Sequence, residues 1–178
     1  MTIIAITQPF FFEGEAEAIH HLFAEGRIDL LHLRKPDASA QQCRQLLSDI
    51  PMQWHGRIVT HSHFELCAEY NLHGCHLNHR CPTLPPMHHG SVSRSCHSLD
   101  EVSKYKEQVD YLFLSPIFDS ISKYGYHSAF DDATLQKAAS RGIIDNKVIA
   151  LGGVTPQRIP LLEDYGFGGA AMLGAMWQ

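Results

Sequence analysis

The sequence predicts a (β/α)8 TIM barrel, and three observations lead to this fold class. Short runs rich in Ile, Val and Leu recur along the chain, each followed by a loop and a segment with helical spacing. Runs such as VIAL and YLFL are continuously apolar, which is typical of parallel strands buried on both faces. No linker-like or low-complexity stretch divides residues 1–178, so we expect a single domain. A doubly wound open sheet is the alternative.

Eight strands and six helices are predicted in alternation. The strands are expected at residues 3–7, 30–34, 57–61, 74–78, 90–93, 111–115, 148–152 and 169–173. The helices are expected at residues 15–25, 38–50, 64–71, 99–109, 132–141 and 156–165. The Pro-rich residues 83–89 predict a short crossover. No eighth helix is predicted after the last strand, so either the chain is truncated, which we favour, or the barrel is left uncovered there.

Composition and charge exclude several classes of protein. The chain is 44% hydrophobic and 19% charged, so fibrous and disordered classes do not fit. A net charge of -5 argues against nucleic-acid or anionic-membrane partners. Without a membrane-length apolar run or a secretory signal, the sequence predicts a cytoplasmic protein. The five cysteines form no CxxC motif, so we expect them to be reduced.

Polar or glycine residues follow most of the predicted strands. In a barrel of this type ligands bind at the carboxyl ends of the strands, so these residues are the candidate site. In chain order they are His32, Arg34, Lys35, Thr60, His61, His63, His76, Asn78, His79, Arg80, Ser95, His97, Ser120, Ser122, Lys123, Gly152, Gly153 and Gly174.

Glycines near the end of the chain predict an anion site. Gly152 and Gly153 follow the seventh strand, and the segment GGAAMLGA spans the eighth. Backbone N–H groups in these two loops hold phosphate in many barrels, and a helix beginning near Pro156 would add a favourable dipole. The alternative is that the glycines only allow tight packing of a turn.

Histidines at the ends of strands three to five raise the question of a transition-metal site. The candidates are His61, His63, His76, His79 and His97. Imidazole suits zinc, iron or nickel. Hydrogen bonding within a pocket and simple solvent exposure are the alternatives. Because side chains alternate along a strand, Cys75 should face the helices if His76 faces the barrel interior.

Several motifs, spread over the whole chain, resemble the thiamine phosphate synthase and thiazole tautomerase superfamily. They are HLRKP, GCHLN, SCHSLDEV, YLFLSPIFDSISK and VIALGGVTPQRIPLLEDYGFGGAAMLGA. The resemblance implies a barrel that joins hydroxymethylpyrimidine pyrophosphate to a thiazole phosphate, releases pyrophosphate and uses magnesium. It also implies small phosphate-bearing partners and leaves a homo-oligomer open.

The resemblance assigns roles to matching residues. Arg34 and Lys123 would hold pyrophosphate, and Ser95 and His76 would line the pyrimidine pocket. The thiazole phosphate would lie against the backbone amides of the loops after strands seven and eight. Those amides belong to Gly153, Leu173 and Gly174. Ser120 and Ser122 stand where the family has hydroxyl residues in the loop before Lys123. We add His32, Thr60, His61 and His79 as predicted substrate contacts, because they follow the neighbouring strands.

The sequence departs from the family at its metal positions. His61 and Cys81 stand where the synthases have aspartates around magnesium, a cation that prefers oxygen ligands. We therefore expect weak magnesium binding, with positive charge supplied by Arg34, Lys123 and a protonated His61 or His79. Pro116 stands where the tautomerases have a catalytic histidine. A tautomerase-type isomerase and a non-catalytic phosphate-ligand binder are the alternative functions.

Overall fold

Eight parallel strands in chain order close into a barrel in the computed structural model, which describes residues 1–119 and 130–177. The predicted (β/α)8 fold class is confirmed and the open doubly wound sheet is wrong. The strands are β1 (Thr2–Ile6), β2 (Leu30–Leu33), β3 (Ile58–Thr60), β4 (Gly74–Leu77), β5 (Ser91–Cys96), β6 (Tyr111–Leu114), β7 (Val148–Leu151) and β8 (Gly169–Met172).

Helices alternate with these strands. Within the described residues they are α1 (Glu15–Ala24), α2 (Ala40–Asp49), α3 (Glu65–Glu69), α4 (Leu99–Tyr105), α5 (Asp132–Ser140) and α6 (Ile159–Asp164). Short 3₁₀ helices cover Met52–Arg57, Lys106–Gln108, Pro156–Arg158 and Gly174–Met176. Residues 83–89 contain no helix, as the Pro-rich stretch predicted. None of the helices described is long and apolar enough to cross a membrane.

The predicted boundaries are wrong in a few places, each for a local reason. Strand β5 runs to Cys96 instead of residue 93, because polar residues within SVSRSC hide a strand with buried Val92 and Cys96. The helix expected at residues 99–109 divides into α4 and a 3₁₀ turn, and the helix expected at 156–165 begins with one. Helix α2 begins later than predicted, at Ala40, because Ser39 caps it with a reciprocal hydrogen-bonded box with Gln42.

The chain divides into two compact units. The first half is Ile4–Val92, and the second half comprises Met1–Ile3 and Ser93–Gln178. Each has its own apolar centre built from strand and helix residues. In the first half the fully buried members include Ile4, Ile19, Leu31, Leu47, Ile58 and Leu66. In the second half they include Val102, Leu112, Leu114, Val148, Ala150 and Leu162.

Candidate active-site residues at the strand ends

Three buried histidines lie together on neighbouring strands of the first half. His32 on β2 and His76 on β4 are fully buried, and His61, directly after β3, is 8% exposed. Thr60 pairs with Cys75, so the residues that follow them, His61 and His76, are neighbours across β3 and β4. Nδ1 of His32 lies 2.9 Å from Nε2 of His61, and the His61 and His76 rings stack with centroids 4.2 Å apart. We call these residues the histidine triad.

The surroundings of the triad keep two of its rings neutral. Burial lowers the pKa of His32 well below its ordinary value, and the charges of His76 and His73 act in the same direction. Burial also lowers the pKa of His61 well below its ordinary value, reinforced by His76, His32 and the guanidinium of Arg34. The protonated His61 or His79 expected from the sequence concerns a site with pyrophosphate bound, so it stays a prediction. A neutral imidazole carries one donor and one acceptor nitrogen, which allows the His32–His61 hydrogen bond.

The structure brings together only part of the histidine set predicted for a metal. His61 and His76 are joined by His32, which the sequence placed among the substrate contacts. Nε2 of His63 lies 2.8 Å from the Ala38 carbonyl, and His79 is exposed in the loop after β4. His97 is exposed in the second half, with Nδ1 3.1 Å from the Ser115 carbonyl.

Strand alternation correctly separates Cys75 of β4 from the triad. The Cys75 thiol hydrogen-bonds Cys67 of α3, and burial together with this bond raises the pKa of Cys75. Cys75 therefore faces the helices, as predicted. Cys81 is half-buried. Among the described residues, the possible metal ligands that cluster with the triad do not include its thiol. All five cysteines are free.

Arg34 stands on a firmly held backbone at the end of β2. Its N–H donates to Oγ1 of Thr7 over 2.9 Å, and the Thr7 hydroxyl donates to the Arg34 carbonyl over 3.1 Å. Thr7 is completely buried after β1. The two bonds fix the position from which the half-buried Arg34 side chain extends.

Lys35 is a structural residue, although the sequence placed it among the candidate site residues. It is 1% exposed, and Nζ donates to the Glu15 carboxylate over 2.6 and 2.8 Å and to the Phe10 carbonyl over 2.7 Å. The ammonium also lies 4.5 Å from the centre of the Phe11 ring. Burial lowers the pKa of Lys35 and raises that of Glu15, while their mutual attraction opposes both shifts. The pair ties the loop before α1 to the end of β2.

Thr60 and Ser95 are predicted site residues from different halves of the chain. The buried Thr60 hydroxyl donates to the Ser62 carbonyl over 2.6 Å, so its proton is used locally. Ser95 is half-buried on β5 in the second half. The predicted residues Ser120, Ser122 and Lys123 lie outside the described residues.

Two glycines after β7 are required by the packing of the second half. Gly152 and Gly153 have positive φ angles of 94° and 61°. A Cβ on Gly153 would lie 2.3 Å from the Asp119 carbonyl oxygen, and one on Gly152 would lie 2.8 Å from Pro116. Tight packing therefore explains both glycines, and it does not decide whether their loop also holds an anion. Among the described residues, no backbone hydrogen bond is seen from the N–H groups of Gly153 and Gly174, and anion binding by these groups stays a prediction.

Arg158 is a candidate site residue that the sequence analysis missed. Its Nη1 donates to the Gly153 carbonyl over 2.7 Å, and its guanidinium lies 4.4 Å from the centre of the Phe118 ring. The sequence did contain a signal. A cation in the first turn of a helix opposes the helix dipole, so an arginine directly after TPQ needs another reason to be there.

Leu173 and Gly174 complete the described part of this loop region. The Leu173 carbonyl accepts a hydrogen bond from Met176 over 3.2 Å, which forms the 3₁₀ turn Gly174–Met176. Both residues are half-buried. Whether a phosphate binds there stays a prediction.

Comparisons with known proteins agree with this architecture. The family model described as "Thiamine monophosphate synthase" matches residues 3–176. The crystal structure of thiamine phosphate pyrophosphorylase from Bacteroides thetaiotaomicron is 45% identical, with a TM-score of 0.90, over 99% of this chain and 85% of that chain. No curated protein sequence gives a match.

More distant structures share the fold. Thiamine phosphate pyrophosphorylase from Pyrococcus furiosus is 17% identical, with a TM-score of 0.77, over 99% of this chain and 88% of that chain. A 3-hexulose-6-phosphate synthase is 14% identical, with a TM-score of 0.59, over 98% of this chain and 91% of that chain. With nearly its whole length matched by one family model, the chain belongs to the thiamine monophosphate synthase family.

Proposed function

We propose that this protein is a transferase of thiamine biosynthesis that joins hydroxymethylpyrimidine pyrophosphate to a thiazole phosphate and releases pyrophosphate. The observation that carries the proposal is the family match over residues 3–176. The 45% identity to a thiamine phosphate pyrophosphorylase over 99% of this chain supports the same activity.

The chemistry requires charge neutralisation more than acid–base catalysis. Pyrophosphate departs when its negative charge is held by cations, and the thiazole nitrogen then bonds to the pyrimidine methylene carbon. Arg34 and Lys123 are the proposed cations for pyrophosphate, Arg34 through its planar pair of donors. The N–H groups of Gly153 and Gly174 are the proposed donors to the thiazole phosphate, with Arg158 adding positive charge beside them.

The residues at the family's magnesium positions do not fit magnesium. His61 offers a buried imidazole and Cys81 a half-buried thiol, whereas magnesium takes oxygen ligands in octahedral geometry. No step of the proposed reaction therefore goes through a protein-bound magnesium ion. Magnesium would reach this protein mainly as a complex with pyrophosphate. Burial and the neighbouring His76, His32 and Arg34 lower the pKa of His61 in the ligand-free protein, so Arg34 and Lys123 are the cations that the proposal relies on.

The test is pyrophosphate release from the two synthase substrates, measured with and without magnesium. Parent protein is compared with Arg34→Ala and Lys123→Ala, and with Arg44→Ala as the control. Arg44 pairs with Glu69 on the outside of α2. We expect each site variant to weaken pyrophosphate binding by about 1.5–3 kcal/mol, the scale of a hydrogen bond to a charged group.

Three results would contradict the proposal in different ways. Tight binding of both substrates without turnover would identify a non-catalytic binder, which the loss of the metal-binding carboxylates favours as the second candidate. Metal-free isomerisation of a thiazole carboxylate phosphate would identify a tautomerase. Unchanged pyrophosphate affinity in both Arg34→Ala and Lys123→Ala would refute the assignment of Arg34 and Lys123 as the two cations.

A further inference from the structure

We propose that the histidine triad is a binding site for one divalent transition-metal ion, best suited to zinc. Three imidazole nitrogens, from His32, His61 and His76, would hold the ion, and a fourth position would stay open to water or an anionic oxygen. The site is a property of the ligand-free protein and does not depend on the proposed transferase reaction.

The distances within the triad are close to those of a coordination sphere. Zinc–nitrogen bonds of about 2.0–2.1 Å in tetrahedral geometry place neighbouring ligand nitrogens about 3.3 Å apart. In the triad the His32–His61 nitrogens are 2.9 Å apart, and one ligand atom from each of the three residues lies within 4.8 Å of the others. Binding one ion requires side-chain rotations that bring nitrogens as much as 4.8 Å apart to about 3.3 Å.

The backbone positions of the three ligands are already fixed. His32 and His76 lie within β2 and β4, and His61 follows β3 with its N–H bonded to the Leu33 carbonyl over 3.1 Å. The three rings thus come from three adjacent strands of one sheet. Because folding itself assembles the ligands, metal binding does not have to order a loop.

The donor set selects the kind of metal. Three imidazoles and no carboxylate suit zinc, cobalt, nickel or copper, and they exclude the oxygen-seeking magnesium and calcium. Three protein ligands with a fourth open position are the arrangement of catalytic zinc sites, whereas structural sites fill all four positions. His61, the member of the triad with 8% exposure, is the side on which a fourth ligand reaches the ion.

Metal binding to the neutral His32–His61 pair releases no proton to solvent. The hydrogen bond between His32 and His61 uses the proton of one ring and the lone pair of the other. When the ion takes both nitrogens, the donor ring moves its proton to its other nitrogen, and the hydrogen bond is replaced by two metal bonds. The positive charge of Arg34, which acts on His61, favours an anionic oxygen at the open position.

The experiment uses the full chain, freed of metal by a chelator and dialysed. Zinc and cobalt(II) are titrated separately by calorimetry, and cobalt(II) is also followed by its visible absorption. We expect one ion per chain and the intense visible bands of four-coordinate cobalt. We also expect His61→Gln and His76→Gln each to weaken binding at least ~100-fold, since lost partners of ligands alone cost 10–100-fold. His88→Gln, at an exposed loop histidine, is the matched control and should bind as the parent does.

Circular dichroism of each variant shows whether it folds. The cobalt spectrum of the parent protein tests the coordination number even if a variant does not fold. Six-coordinate cobalt bands, or zinc binding that both triad variants retain, would place the ion on exposed histidines and overturn the proposal. So would the absence of stoichiometric binding to the parent. All measurements are made without thiamine precursors, so a failed transferase assay and a failed metal titration are independent results.

Discussion

The two halves of the molecule place different chemistry at the ends of equivalent strands. The first half contains eleven of the thirteen histidines in the sequence, and its described strand ends carry the histidine triad and the buried Lys35–Glu15 pair. The described strand ends of the second half instead carry tightly packed glycines, Gly152 and Gly153 after β7, and the Leu173–Gly174 turn after β8.

The difference has a physical consequence for how each half tolerates change. Buried ionisable side chains cost free energy unless they are paired or neutral, so the first half should respond to lost partners and to pH. Main-chain amides are neutral dipoles that do not titrate near neutral pH. They depend on backbone conformation, so the second half should respond to the addition of a Cβ.

The largest effect is expected in the first half, from Lys35→Ala. Removing the lysine leaves the Glu15 carboxylate buried and unpaired, which typically costs about 3–5 kcal/mol of unfolding free energy. Urea unfolding measures the change. The control is Arg44→Ala, which breaks a more exposed ion pair and should cost no more than about 1 kcal/mol. Equal effects of the two substitutions would show that burial of the Lys35 pair does not matter.

An intermediate effect is expected in the second half, from a comparison of Gly153→Ala with Gly142→Ala. Both glycines have positive φ, 61° and 68°, so alanine costs about 1–2 kcal/mol at either position. Only Gly153 lacks room, because its Cβ would meet the Asp119 carbonyl, whereas nothing lies near Gly142. We expect a further ~1–3 kcal/mol loss at Gly153, measured by urea unfolding. If the two variants are equally stable, the close approach of the Asp119 carbonyl does not restrict the side chain at position 153.

The smallest effect is acid sensitivity arising from the first half. The pKa values of His32 and His61 are lowered in the folded protein, so below about pH 6.5 the unfolded chain binds more protons than the folded one. Stability is therefore highest above the unfolded pKa and falls as the pH decreases towards the folded values. Both histidines act in the same direction in that window.

Unfolding of metal-free protein between pH 7.5 and 5.5 tests this expectation. The pH dependence should weaken in His61→Gln and stay unchanged in His88→Gln, whose imidazole is exposed. A parent protein that gains stability as the pH falls would mean that the triad binds protons in the folded state.

The sequence by itself determined the barrel. Continuous apolar runs and the alternation of strand and helix patterns are local features, and eight of them in one chain leave few architectures. The polar and glycine residues after the strands were also visible, because they interrupt those runs. Boundaries failed where local patterns were weak, as at β5, whose serines and arginine conceal two buried apolar positions.

Only the tertiary structure decided which of the polar residues act together. His32, His61 and His76 are up to 44 residues apart in sequence, and the pairing of β2, β3 and β4 brings their rings into contact. Lys35 follows Arg34 directly and has the same charge, yet Glu15 and the Phe10 carbonyl hold it inside the protein. The sequence specifies which chemical groups are present at the strand ends. Strand register and burial then decide which imidazoles meet and which charges are buried.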